Sequence, residues 1–423
     1  MSVKLIEKDT MSKRRSLGII MILGTLIAIG PFSIDAYLPA FKQIAADFNV
    51  DTSAIGLTLT TYFIGIGLGQ LAYGPLMDRY GRRRPLIAGL VLYIVTSLLS
   101  AYAWDVTSLA TLRFFTSLGA CAGMVASKAI VRDLFDKDKV ADVLSTLMLI
   151  MGVAPVIAPT IGSFVIDNYS WHYIFYGLAG FATLMLFNVK FLLPESAKPN
   201  LTKSLHPVPV LKEYWGIYKN KEFFLFSTVR GFVIGILLGY VAAAPFVFLE
   251  FFGMKQDMFG YIFGSNAAGL IAGSQINRLF LMRYTTFQIT YTVSLLLVMV
   301  VTLGLGYVLF FEPVLWVTFP ILFVMMVLVG FLNPNTTALA LQPFSLRAGS
   351  ASAFVGAVSM IFGSLASWYV SHFLKTSLLP LFIMLSFCAV MAYGFVEYYR
   401  SRYARGYAFA KANFKQLSSK KAA

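Results

Sequence analysis

Asp35 is a carboxylate in apolar company. Residues 17–34 (LGIIMILGTLIAIGPFSI) carry no charge, and the run AYLP follows to Pro39. An ionised carboxylate buried in an apolar medium costs several kcal/mol, so such a group normally faces a polar cavity and titrates. Desolvation favours its neutral form and a nearby cation favours its charged form. An acid whose surroundings alternate between these conditions takes up a proton in one state and gives it back in the other. The plainer alternative is that Asp35 caps the short segment before Pro39. Among the 19 acidic residues it alone falls clearly inside an apolar run; Glu250, Glu312 and Glu397 stand at the ends of runs. Arg113, in LRFFTSLGA, is the corresponding cation. It either reads the protonation state of Asp35, directly or through water, or snorkels to the nearest surface. Arg230, in STVRGFVIG, has the same choice between snorkelling and lending positive charge to a cavity, where it favours anionic or zwitterionic ligands. Lys128 and Lys190 sit near run ends and are expected to snorkel.

The elements that hold these groups follow from composition. The 423 residues are 58% hydrophobic and 13% charged, against about 25% charged in soluble domains. Mean hydropathy is +0.75. The apolar residues come in runs of about twenty, enough to cross a hydrocarbon core of about 30 Å at about 1.5 Å per residue. The chain therefore reads as an all-α membrane protein. Its first run is too long for a cleavable signal, lacks an A-x-A-like site and is followed by many more. Cys121 and Cys388 both lie inside runs and fit neither a disulfide framework nor a metal site.

Twelve spans are expected, near 17–39, 53–77, 85–103, 107–131, 140–166, 171–193, 223–249, 258–280, 286–310, 314–338, 348–372 and 378–399. The net charge of +15 does not point to nucleic acid, because of where it lies. Lys and Arg crowd the N-terminus, DRYGRRR (78–84), the 195–222 segment and the tail, while only Lys42, Lys255 and Lys375 fall on the other side. The positive-inside rule then puts both termini in the cytoplasm. The expected organisation is a cytoplasmic N-terminus (1–16), a six-helix bundle (17–193), a polar linker (194–222), a second bundle (223–399) and a basic cytoplasmic tail (400–423). A faint repeat supports the two halves: at one constant offset Tyr62, Gly65, Leu71, Gly74 and Arg79 fall on Tyr261, Gly264, Leu270, Gly273 and Arg278. Paired halves are a transporter architecture.

The most specific pattern is GPLMDRYGRRRP (74–85), between spans two and three. Gly74 is expected to let helices approach, Gly81 to permit a tight turn, and Arg79, Arg82 and Arg83 to hold the loop in the cytosol. With Asp78 the pattern resembles the G-x-x-x-D-R-x-G-R-R loop of the major facilitator superfamily, which implies two pseudo-symmetric six-helix bundles. By that resemblance Asp78 meets the positive N-terminal end of span eleven (GSASAF) and Asp133 pairs with a loop arginine, contacts that break during transport. IDAYLPAF, AIVRDLF, APVIAPTIGSF with WHYIF, and NPNTTALALQPF look like the bicyclomycin-resistance (Bcr/CflA) drug exporters of that superfamily. In that branch an acid at the D-x-Y-L-P position is implicated in proton coupling, which the resemblance assigns to Asp35. Arg113 matches the span-four arginine, although Thr116 stands where Gln is common.

Gly152, Pro155, Pro159 and Gly162 share one face of span five. Such a face either bends and slides against a neighbour or simply packs closely; in the superfamily it is the usual mark of exporters. Superfamily analogy lines the cavity with spans one, four, seven and ten and so nominates Tyr37, Met124, Tyr240, Phe246, Asn333 and Asn335 beside Arg230 as substrate contacts. The expectation is a monomeric, proton-coupled antiporter of the bacterial inner membrane, exporting small amphipathic molecules by alternating access with no cofactor. An anionic metabolite or siderophore is the rival cargo. A membrane-embedded enzyme or receptor finds little support, since His172, His206 and His372 are scattered and no metal motif is present.

Overall fold

The computed structural model describes residues 13–201 and 207–404. Fourteen α-helices carry the described chain: α1 (Lys13–Asp35), α2 (Phe41–Phe48), α3 (Thr52–Tyr80), α4 (Arg83–Ser100), α5 (Val106–Leu134), α6 (Lys137–Asn168), α7 (His172–Phe191), α8 (Pro207–Tyr218), α9 (Lys221–Pro245), α10 (Gln256–Phe280), α11 (Thr286–Phe310), α12 (Leu315–Leu341), α13 (Ala348–Phe373) and α14 (Leu379–Tyr399). All but α2 and α8 are long. Eleven stretches built on these helices are long and apolar enough to cross a membrane. The twelfth long helix, α10, has the length but carries Asn266, Gln275, Asn277 and Arg278. The expected termini and basic tail lie largely outside the described residues.

Local chemistry sets the ends. Asp105 accepts from the Ser108 amide at 2.7 Å and starts α5, and Thr285 does the same for α11 with Gln288. Gly81 adopts φ +85°, the left-handed region that ends α3 and turns the chain into α4. The first helix ends four residues before the expected span does: α1 stops at Asp35, a short 3-10 turn covers Leu38–Ala40, and α2 follows. Pro39 is the cause, because it has no N–H to offer the Asp35 carbonyl four residues back. Likewise α9 ends at Pro245 and passes into a π-helical turn, Phe246–Phe251. The linker is not wholly irregular, since α8 forms inside it and buries Tyr214 and Ile217.

Both halves repeat one set of neighbours. In the first, α3 packs on α5, α4 on α5 and α7, and α1 on α6; in the second, α10 packs on α12, α11 on α12 and α14, and α9 on α13. Two seams join the halves, α3 against α13 and α6 against α10. Glycines let the backbones close along both. Gly56 faces Ser371 and Gly67 faces Met360; Gly260 faces Thr160 and Gly264 faces Val156. A cross-seam hydrogen bond links Thr60 Oγ1 to Ser367 Oγ at 3.0 Å. At the end away from the loop pattern, the Gln256 side chain donates to the Pro39 carbonyl and ties the halves together there.

Candidate functional site

Because α1 stops at Asp35, the acid occupies the last position of a helix, where the exposed carbonyls disfavour negative charge. Its side chain is 5% exposed. Among the described residues no hydrogen bond or ion pair reaches its carboxyl. Two neighbours define its setting. A Cβ on Gly162 of α6 would collide with the Ala36 backbone, so α6 lies directly against the break in α1. From the other half, α9 and α10 pack against the short turn Leu38–Ala40 that follows Asp35. Asp35 thus sits where α1, α6 and the second bundle converge.

Arg113 does not snorkel; it is fully buried. Its Nη2 donates to the Ser33 carbonyl at 2.9 Å, two residues before Asp35. The guanidinium carbon lies 4.3 Å from the Tyr62 ring centroid and 4.7 Å from that of Tyr37, so π faces take up part of the charge. Its Nε and Nη1 have no hydrogen-bond partner. Asp35 and Arg113 form no direct ion pair in this conformation; Ser33, hydrogen-bonded to Arg113 and two residues before Asp35 in α1, connects them. Sequence reasoning passed over Ser33, whose hydroxyl also bonds Tyr93, and Tyr62, whose hydroxyl donates to the Gly30 carbonyl at 3.3 Å.

The loop pattern forms one ion network. Arg82 reaches Asp78 at 2.6 Å and Asp133 at 2.9 Å. Burial opposes the Arg82 charge, but the two carboxylates outweigh it and hold the guanidinium above its ordinary range. Glu195, just past α7, accepts from the backbone amides of Arg82 (2.8 Å) and Arg83 (3.2 Å). Ser196 Oγ donates to Asp133 at 2.9 Å. The Arg83 side chain donates to the Lys190 carbonyl, and the Arg79 guanidinium lies 5.7 Å from the Tyr80 ring. Glu195 falls at the start of the stretch 194–222, expected to be a polar linker, and nothing in its neighbouring sequence ties it to the loop arginines more than a hundred residues earlier. Gly74 corrects an expectation: a Cβ there meets nothing within 4 Å, so it brings no helices together. Its counterpart Gly273 does, lying against the Val327 backbone of α12.

On α6, Pro155 and Pro159 sit inside one uninterrupted helix. Gly152 faces Ile271 of α10 at ordinary contact distance. One face of α6 therefore touches both the acid-bearing break in α1 and the second bundle.

The proposed substrate contacts divide. Tyr37 is fully buried in the first bundle, bonded to Thr58 at 3.0 Å and packed on Phe41 and Phe175, because the turn after Asp35 swings it inward. Asn335 is also tied up, exchanging two hydrogen bonds with Asn277 of α10 at 2.8 and 3.1 Å. Phe246 is buried in the π turn. Neither Tyr37, Asn335 nor Phe246 offers a free contact surface here. Tyr240 accepts from Asn266 at 2.8 Å and stacks on Phe263. Met124 is half-buried against Gly30. Arg230 is fixed by α12: its Nη1 donates to the Asn333 carbonyl at 2.9 Å, to the Asn333 side chain, and to Thr337 at 2.5 Å.

A family model described as the Major Facilitator Superfamily matches residues 20–367. An uncharacterized MFS-type transporter of Bacillus subtilis, YdgK, is 31% identical over 366 residues, 84% of this chain and 88% of its own. A bicyclomycin resistance protein homolog of Haemophilus influenzae is 29% identical over 88% of this chain and 94% of its own. The multidrug resistance protein MdtL of Escherichia coli is 29% identical over 81% and 85%. Among solved structures, a bacterial homolog of the human lysosomal transporter Spinster, inward-facing and occupied, superposes with a TM-score of 0.70 at 13% identity over 93% of this chain and 99% of its own. A D-xylose–proton symporter gives 0.65 at 14% over 90% and 98%. Identities that low establish the shared fold alone.

Proposed function

The chain belongs to the major facilitator superfamily, with relatives in its bicyclomycin-resistance branch, and on that premise we propose that it exports drugs or other small amphipathic molecules in exchange for protons. The exchange would proceed by rocking two six-helix bundles about a central site in the bacterial inner membrane, with both termini in the cytoplasm. One observation carries the coupling: the only acid clearly inside an apolar run, Asp35, is buried, has no ion-pair partner among the described residues, and stands where α1 breaks against α6 and the following turn meets α9 and α10 of the other bundle. A carboxyl so placed changes its surroundings whenever the bundles move. Each proton entering the cell supplies about 2.3 kcal/mol per 100 mV, plus any pH gradient. The Arg82 network fits a latch, since it joins α3, α5 and the segment after α7 at the loop end of the first bundle. The test is purified protein in liposomes with an imposed pH gradient and a panel of amphipathic dyes. Gradient-dependent accumulation supports the reading; uptake that ignores the gradient refutes proton exchange.

A further inference from the structure

The linker end of the second bundle holds a groove of about 730 Å³ where the end of α8, the start of α9 and the last turns of α14 meet. Its floor is one face of α14, on which Val390, Met391, Gly394, Phe395 and Tyr398 recur at helical spacing. From Val390 to Tyr398 that face runs about 12 Å along the axis, most of one leaflet of a hydrocarbon core about 30 Å thick. Gly394 keeps the groove open, because a Cβ there would meet nothing within 4 Å. Phe224 of α9 stands on the opposite wall. It meets Tyr218, the last residue of α8, edge-on at 5.1 Å, and Tyr218 stacks on Trp215 at 5.5 Å.

The mouth of the groove is basic. Lys219 and Lys221, on either side of the N-cap residue of α9, both line it and both are exposed. Among the described residues neither pairs with a carboxylate, and Lys219 lies 5.9 Å from the Trp215 ring. Arg402 adds a third cation, its Nη1 donating to the Tyr398 hydroxyl at 3.3 Å. The acids closest in sequence are engaged elsewhere: Glu222 accepts from Tyr399, and Glu397 pairs with Arg400. An apolar trough that opens beside cations suits a ligand with a hydrocarbon chain and an anionic head. The segment 405–423 begins just past the π-helical turn Arg400–Ala404, but it carries five Lys and Arg and no acid, so this mouth repels it.

We infer that the groove binds an anionic phospholipid, with its phosphate between Lys219 and Lys221 and an acyl chain laid along α14. The inference takes from the transporter reading only that these helices cross a membrane, and it concerns the lipid rather than the cargo. A phospholipid held there touches the end of α8, the start of α9 and the end of α14 together, and so fastens the linker to the second bundle.

The test is native mass spectrometry of the full-length protein in detergent. It is titrated with dioleoyl phosphatidylglycerol, which is anionic, or dioleoyl phosphatidylcholine, which has no net charge. Wild type should hold phosphatidylglycerol about tenfold more tightly or better. Lys219→Gln and Lys221→Gln should each weaken that binding about fivefold, the share of one basic residue near an anionic headgroup, and leave phosphatidylcholine unchanged. Lys375→Gln, beyond the far end of α14, should alter neither. Gly394→Leu fills the trough and spares both lysines; it should weaken phosphatidylglycerol about tenfold, the loss of roughly two buried methylenes. A chain ending at Ala404 should bind as the full chain does. Equal retention of the two lipids by wild type, or phosphatidylglycerol binding that survives Gly394→Leu or the double lysine variant, overturns the inference. So does much tighter binding by the shortened chain, which would mean that the tail itself covers the groove. The liposome assay with dyes reads transport independently, so a failure here leaves the transporter reading standing.

Discussion

Arg113 is held in a way that a structural residue would not need. It is fully buried, two of its three side-chain nitrogens have no hydrogen-bond partner, and among the described residues no carboxylate pairs with it. Replacing even a buried ion pair by apolar side chains of similar volume is often neutral or stabilising, and an unpaired charge bears the desolvation cost without the partner's attraction. Arg113→Met loses the Ser33 contact, worth about 1 kcal/mol, and the stacking on Tyr37 and Tyr62, but relieves the desolvation. Its thermal stability should stay within about 1 kcal/mol of wild type while gradient-driven transport disappears. Unfolding that shows a loss well beyond that would assign Arg113 to structure instead. The types of these residues could be read from the sequence, since a lone Asp and a lone Arg in apolar runs announce themselves. Their partners could not. Tyr37 and Asn335 were placed at a cavity from helix number alone, whereas the break at Pro39 turns Tyr37 into the bundle and Asn277 claims Asn335. The exposed face of a helix depends on packing that no single run of letters records.

Among the helices, glycine positions that look alike behave differently. At Gly162 a methyl group would meet the backbone of Ala36, which cannot swing aside, while at Gly152 it would make ordinary contact with Ile271. Gly162→Ala should cost about 1–3 kcal/mol through overpacking and displace the turn that carries Asp35. Gly152→Ala should change stability by no more than a few tenths of a kcal/mol. Thermal unfolding of the two variants side by side checks this, and equal effects would contradict it. Gly273→Ala against Gly74→Ala poses the same contrast for the repeated loop pattern. Gly273 lies against the Val327 backbone and Gly74 faces open space, so only the first should be damaging. The long helices were legible because apolar runs of about twenty residues mark them. The helix α8 was not, because twelve residues inside a Pro- and Lys-rich linker give too short a pattern. Its Tyr214 donates to the Leu71 carbonyl and stacks on Phe354, reaching one helix of each bundle.

For the whole molecule, transport by rocking requires the seams to part. The hydrogen bond between Thr60 and Ser367 marks a point where α3 and α13 touch. Cysteines at both positions should form a disulfide on oxidation, and the native Cys121 and Cys388 are buried and free. Oxidised protein should stop transporting and recover on reduction; full transport while cross-linked would mean that this seam stays shut throughout the cycle. The two-bundle plan was visible beforehand in the paired loop patterns, and the matching neighbour sets of the halves give it physical form. The seams themselves were hidden, since they depend on glycines that in sequence look like any other small residue.

The central claim is that Asp35 gives up a proton when cargo binds. It is tested most directly by adding a transported dye to purified protein in weakly buffered solution and following pH. Wild type should release protons in proportion to dye bound, with the release fading once the medium is acidic enough to keep the carboxyl protonated. Asp35→Asn, folded and still able to bind dye, should release none. Undiminished proton release from that variant would contradict the account.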